Sequence, residues 1–199
     1  MARKLNLGCG SHRLEGWCNV DRVAALQPDV VHDLESIPWP FEDDAVEEVL
    51  LQHVLEHLGA DPRVFLAVMA ELYRVCRPGA LVRIHVPHPL HRDFRSDPTH
   101  VRAITPEVLA MFSRSQCESW QRSGAANTPL ALICAVDFAQ ESCQYLADGD
   151  TLQKLAAKGI AIPVEEAIAY SDIFNDLIKE IQICLRVCKG GAAGAAGGR

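Results

Sequence analysis

Gly8 and Gly10 flank Cys9 at the end of an apolar run, Lys4–Leu7, and an acid, Asp21, follows eleven positions after the second glycine. In open α/β sheets a ligand lies beyond the carboxyl ends of the strands, where the strand order reverses. Glycines there let a ligand approach backbone closely because no Cβ intervenes. A carboxylate on the neighbouring strand tip can accept both hydroxyls of a ribose. The dinucleotide fingerprint is incomplete, since Arg13 stands where the third glycine belongs and Asp21 comes well before the ~20 residues that fingerprint expects. A full crossover helix barely fits between Gly10 and Trp17. The pocket suits a nucleoside with no pyrophosphate to seat.

Histidines supply the other chemistry. His53-Val54-Leu55-Glu56-His57 matches H-x-x-E-H, in which two histidines on one helix face hold zinc. Here the motif abuts an apolar strand, leaving little room for a preceding helical turn, and no metal is assigned. A zinc hydrolase using His53, Glu56 and His57 stays as an alternative. A second group comprises His85, His88, His91 and His100 with Arg83, Arg92, Arg95, Arg102, Asp93 and Asp97. It reads either as a solvated loop or as a segment that receives a polar or anionic substrate. Histidine titrates near neutral pH and can take a proton from an attacking oxygen or nitrogen. His88, nearest a strand end, is the first candidate base and His53 the second.

The elements that would position these residues follow from periodicity. Strand-like runs cover Lys4–Leu7, Trp17–Val20, Asp29–Val31, Val46–Leu51 and Leu81–Val86, most of them apolar on both faces, as parallel strands beneath helices are. Asp61 and Pro62 open a helix whose apolar face is Val64, Leu66, Val68, Met69, Leu72 and Val75, and Arg77-Pro78-Gly79 stops it. His88–Thr105 reads as a long loop or lid and Pro106–Ser113 as a short helix. Leu130–Phe138 reads as a strand, Thr151–Lys158 and Val164–Lys179 as helices, and Ile181–Val187 as a last strand. Trp17, Trp39 and Phe41 are candidates to stack on a base. The class is α/β.

"LNLGCG", "NVD", "HDLESIPWPFEDDAVEEVLLQHVLEHL" and "ELYRVCRPGALVRIHVP" occur in that order between Lys4 and Pro87. Together they resemble the successive motifs of class I S-adenosylmethionine-dependent methyltransferases, most closely a small subgroup with "LNLGCG" followed by "GWxNVD". The resemblance implies a doubly wound, mostly parallel seven-stranded Rossmann-like sheet with the last strands antiparallel and an abbreviated first crossover helix. It implies S-adenosyl-L-methionine as cofactor and methyl transfer to a small or polar acceptor through oxygen or nitrogen. By position it implies that Gly8, Cys9 and Gly10 line the methionine part and that Asp21 holds the ribose. Asp33 and Leu34 then meet the adenine, and Gln52 and His53 close over the methionine end. Val46-Glu47 and Pro78-Gly79-Ala80 depart from the usual Phe-Asp and Pro-Gly-Gly. A module that binds the cofactor or its demethylated product without turnover is the other reading.

The totals bound these expectations. The 199 residues suit one domain over 1–189, with a Gly/Ala-rich tail at 190–199 expected to be disordered. A net charge of −7 argues against general affinity for nucleic acid. No secretory signal or apolar stretch of bilayer length is visible, and the eight scattered cysteines read as reduced, which together suggest a cytoplasmic protein.

Overall fold

The computed structural model describes residues 3–190. Apart from Gly190, the tail lies outside the described residues.

Five strands form from the first half: β1 (Arg3–Leu7), β2 (Cys18–Asp21), β3 (Val30–Val31), β4 (Val46–Gln52) and β5 (Cys76–Pro87). With β6 (Phe138–Ala147) and β7 (Ile178–Val187) they make one seven-stranded sheet in the order β3-β2-β1-β4-β5-β7-β6. Strands β1 to β5 pair in parallel, whereas β7 is antiparallel to both β5 and β6. The reversal is therefore confined to β7, with β6 running the same way as the first five strands. No helix intervenes between β1 and β2, as the short spacing requires.

Helix α1 (Pro62–Val75) starts as its sequence dictates. Asp61 accepts the Arg63 backbone N–H at 2.9 Å, and Pro62 occupies the first turn. Phe65, Val68, Met69, Leu72 and Val75 are buried in the core with Leu5, Leu7, Val49, Leu51, Val82 and Ile84 from the central strands. Burial of each such side chain contributes roughly 1.5–3 kcal/mol. The helix ends at Val75, ahead of the expected stop. Cys76 already pairs with Val46, and residues 77–80 loop out before Leu81 meets Glu48.

Two stretches differ from the sequence reading. Leu130–Ile133 is a helical turn (α5) rather than a strand, and β6 begins only at Phe138. A short apolar run fits a buried helix or strand equally well, and here Ala135, at φ 53°, breaks the chain between the two. Of Val164–Lys179, only Val164–Glu166 and Ala167–Tyr170 are helical turns, and β7 starts at Ile178, three residues earlier than read. Asp176, at φ 64°, turns the chain, and Ile178 then pairs with Ala147.

The segment after β5 is partly ordered into α2 (Arg92–Ser96), followed by α3 (Pro106–Ala110) and α4 (Arg114–Ser123). Buried His91 caps α2 by accepting the Asp93 N–H at 3.1 Å, which leaves its Nε2–H to donate to Asp148 at 3.0 Å. Asp148 also caps α6 (Gly149–Ala156) and accepts from Arg92 at 2.6 Å. One carboxylate thus binds the segment after β5 to the insertion between β6 and β7. Burial pushes the Asp148 carboxyl up, but hydrogen bonds from His91, Thr151, Arg92 and Asp150 outweigh it and hold it well below the usual carboxylate range. A carboxyl group lowered in the folded state stabilises above its unfolded pKa of about 4 and loses that contribution on acidification. Asp148→Ala is expected to cost about 2 kcal/mol in urea unfolding at pH 7. The gap to wild type should narrow as the pH falls below about 4 and close only beneath the lowered folded-state pKa; a gap independent of pH would show that the carboxylate charge contributes nothing.

Candidate cofactor and substrate site

A cavity of about 610 Å³ opens at the carboxyl ends of β1 to β4. That position, where the order passes from β1 to β4, is where such sheets take ligands, and the volume suits a drug-sized molecule. Gly8, Asp21, His32, Asp33, Leu34, His53, Val54, His57, Thr99 and Val101 are among its lining residues.

The turn after β1 is built by the two glycines. Gly8 sits at φ 65°, and a Cβ there would lie 2.6 Å from Val54 Cγ2. Gly10, at φ 53°, has open space where its Cβ would be, and its N–H donates to Asp21 Oδ2 at 2.9 Å. The other Asp21 oxygen accepts the Val23 N–H at 2.8 Å. The carboxylate thus clamps the tips of β1 and β2, and each oxygen keeps a lone pair for a further donor. Cys9 is buried, its thiol pKa raised by burial, and neither it nor Gly10 lines the cavity.

Asp33 and Leu34 are positioned from α1. Asp33 Oδ1 accepts the Glu35 N–H at 3.0 Å, and the Leu34 carbonyl accepts Trp39 Nε1–H at 3.0 Å. Buried Glu71 of α1 accepts the Trp39 backbone N–H at 2.6 Å. Glu35 Oε1 takes the Gly59 N–H at 2.7 Å, joining the two sides of the cavity. Trp39 and Phe41, candidates for base stacking, are core residues instead, and Trp17 lies against Lys4. Such large apolar groups next to a strand bury themselves before a ligand can use them.

The histidines separate. His53 lines the cavity at φ 54°, its N–H bonded to the His85 carbonyl at 2.8 Å. Its Nε2 is 2.9 Å from Glu180 of β7, and its Nδ1 is 3.6 Å from Glu56. Glu180 and then Glu56 raise the imidazole pKa to about 9 against partial burial. Both carboxylates thus favour the charged form of the His53 imidazole, which weighs against its use as a base. His88 lies outside the cavity lining. Its N–H donates to Lys179 O, its Nδ1 accepts the Leu90 N–H at 3.3 Å, and its ring meets Tyr145 edge-on. Gln52 is exposed at the end of β4, also outside the lining.

The H-x-x-E-H helix does not form. Leu55–His57 is a single 3-10 turn, and the left-handed His53 precedes it, so His53 and His57 share no α-helical face. Three of the arginines expected to receive an anion are ion-paired, and Arg102 is not, its Nε being buried without a partner. Arg83 pairs with Glu48, Arg92 with Asp148 and Arg95 with Asp176, while Arg102 donates to the Gly59 carbonyl. Glu180, Thr99 and Val101 escaped the sequence reading. Thr99 and Val101 reach the cavity through the segment after β5, and Glu180 reaches His53 through β7 pairing, long-range events with no local signature.

Residues 5–84 match a family model described as a methyltransferase domain. No curated protein sequence matches the chain. Among solved structures, a SAM-dependent methyltransferase from Archaeoglobus fulgidus superposes with a TM-score of 0.61 at 16% identity, covering 93% of this chain and 86% of that one. Another from Methanosarcina mazei gives 0.54 at 13% identity, covering 94% and 93%. The chain has the Rossmann-like methyltransferase fold. Within it the helix-free first crossover leaves Asp21 pinned by the Gly10 and Val23 N–H groups. Among the described residues no helix is long and apolar enough to cross a membrane.

The turn after β1 is sensitive to one methyl group. Gly8→Ala is expected to destabilise by about 2 kcal/mol or more, from the left-handed backbone and the contact with Val54. A double-mutant cycle with Val54→Ala in thermal unfolding should recover the contact part and leave the backbone part. Purely additive losses would mean that the two side chains do not meet.

Proposed function

We propose that the chain binds S-adenosylmethionine and transfers its methyl group to a small or polar oxygen or nitrogen acceptor. The observation that carries this reading is the Asp21 clamp between the β1 and β2 tips, opening on a cavity of about 610 Å³. The seat fits a nucleoside with an amino-acid tail. Asp21 offers acceptors for vicinal hydroxyls, Asp33 and Leu34 face the base, and the left-handed Gly8 gives the tail a bare backbone wall. Cys9 and Gly10 serve from behind that wall, and Gln52 follows at the end of β4, next to the lining residue His53.

Bound there, S-adenosylmethionine supplies a methyl group already activated by its sulfonium sulfur. The protein's part is alignment and exclusion of water. His53, Val54 and Leu58 line the cavity together with Asp21 and Asp33, and Thr99 and Val101 add the segment after β5 to its lining. His53, held by Glu180 at 2.9 Å and facing Glu56 at 3.6 Å, serves this lining as a positioned charge rather than as the base. The family match over residues 5–84 supports methyl transfer as the reaction class.

Calorimetric titration with S-adenosylmethionine and S-adenosylhomocysteine tests the reading. Both should bind, and Asp21→Ala should weaken each by about 10- to 100-fold, the worth of one or two hydrogen bonds to a charged group. No heat with either compound would end the proposal. Binding without radiolabelled methyl transfer to any acceptor in a cell extract would instead identify a non-catalytic binding module.

A further inference from the structure

We infer that Glu56, His57 and His100 form a site for a divalent transition-metal ion of the zinc class at the edge of the cavity. One ligand atom from each of the three residues lies within 4.8 Å of the others. Tetrahedral zinc with bonds of about 2.0–2.1 Å sets its ligands roughly 3.4 Å apart, so the three would close in by about an ångström.

Three independent features point to a cation. Glu56 is 0% exposed, and neither of its carboxyl oxygens has a hydrogen-bond partner. Burying such a group without a partner costs several kcal/mol, which a bound cation would offset. The nearest charge, His53 Nδ1 at 3.6 Å, is beyond hydrogen-bond reach.

The second feature is the tautomer of each imidazole, fixed by its partner. His100 Nδ1 lies 2.8 Å from the Phe94 carbonyl, which can only accept, so Nδ1 carries the proton and the Nε2 lone pair is free. His57 Nδ1 is 2.9 Å from Thr99 Oγ1, whose own hydroxyl proton goes to Asp97 at 2.6 Å. Thr99 therefore accepts from His57 Nδ1–H, and His57 Nε2 is free as well. An outer acceptor holding the far nitrogen of a ligating histidine is the usual support of metal sites.

The third feature is placement. The His57 and His100 rings meet edge-on at 4.5 Å, and His100 stacks on Phe94 at 5.3 Å, which restricts both. The Asp97 carboxylate stands 3.8 Å from His100 Nε2, adding negative charge without using that lone pair in a hydrogen bond. The backbone N–H groups of Val101 and Arg102 donate to the Glu56 carbonyl, fixing the segment that carries His100 against the turn that carries Glu56.

Two imidazoles and one carboxylate select zinc-like ions over magnesium or calcium, which prefer all-oxygen ligation. Three protein ligands leave a coordination position open, and His57, Thr99 and Val101 also line the cavity. On the methyl-transfer reading, an acceptor hydroxyl drawn to that position would release its proton to solvent more readily.

Zinc titration of the metal-stripped full-length protein tests the site without any cofactor, so its outcome is separate from that of the S-adenosylmethionine titration. Wild type should take up one equivalent and unfold at higher temperature with zinc than without. Glu56→Gln and His100→Ala should each weaken uptake by about 100-fold or more, while His12→Ala, at an exposed histidine elsewhere, should not. Magnesium should compete poorly. Metal-free Glu56→Gln should differ little in stability from metal-free wild type, since the loss of the 3.6 Å ion pair with His53 is offset by removing a buried carboxyl group that has no hydrogen bond. Absence of uptake by wild type, or full uptake by both site variants, would overturn the inference; a marked loss of metal-free stability in Glu56→Gln would assign Glu56 a structural role instead.

Discussion

Parallel pairing of β1 with both β2 and β4 is the constraint on which the site depends. Each of those strands enters from the same end and leaves its last residue at the other, so three chain segments turn away from one line. Between β1 and β4 the strand order reverses, and the cavity lies at the carboxyl ends there. The cavity is the geometric remainder of that topology. The sequence then decides what the cavity presents: bare backbone at Gly8, a carboxylate at Asp21, and a polar segment from His32 to Glu35.

Dispensing with a helix between β1 and β2 has a consequence for Asp21. A longer crossover would dock its helix N-terminus under the glycine turn and satisfy the orphan backbone donors there. In this chain the turn must be secured from the neighbouring strand. Asp21 does that by accepting the Gly10 N–H, and Asn6 and Asn19 repeat the device one layer below, with Asn6 Nδ2 donating to Asn19 Oδ1 at 3.0 Å and Asn19 Oδ1 accepting the Leu14 N–H at 2.8 Å. Side-chain hydrogen bonds stand in for a missing element.

What could be read from the sequence divides along the range of the interactions. Strands β1, β4 and β5 and helix α1 announce themselves through runs, an Asp-Pro cap and a glycine turn, all local. The Leu130–Ile133 turn is not legible because its apolar run has no period to separate strand from helix. The start of β7 is not legible either, because Ile178 is drawn into the sheet by pairing with Ala147, and no neighbour in sequence signals that. Candidate site residues follow the same division. Gly8, Asp21, Asp33 and Leu34 lie where strand ends put them, whereas His88 needed the path of the chain after β5, which is set by His91, Asp148 and Asp176 from distant segments.

The single reversed strand supplies what parallel strands could not. A strand running with its neighbours would bring its end to the cavity, whereas β7 enters from the cavity side and brings its beginning. Glu180, paired with Pro87 in register, thus stands beside the loop after β4 and meets His53. The cost to His53 is a left-handed backbone, which a non-glycine residue adopts at about 1–2 kcal/mol. That conformation turns the chain sharply out of β4, puts the ring between Glu180 and Glu56, and starts the 3-10 turn that buries Glu56 and leaves His57 on the cavity. Backbone strain at one residue, held by an ion pair from the reversed strand, is what brings the acidic and imidazole groups of this wall together.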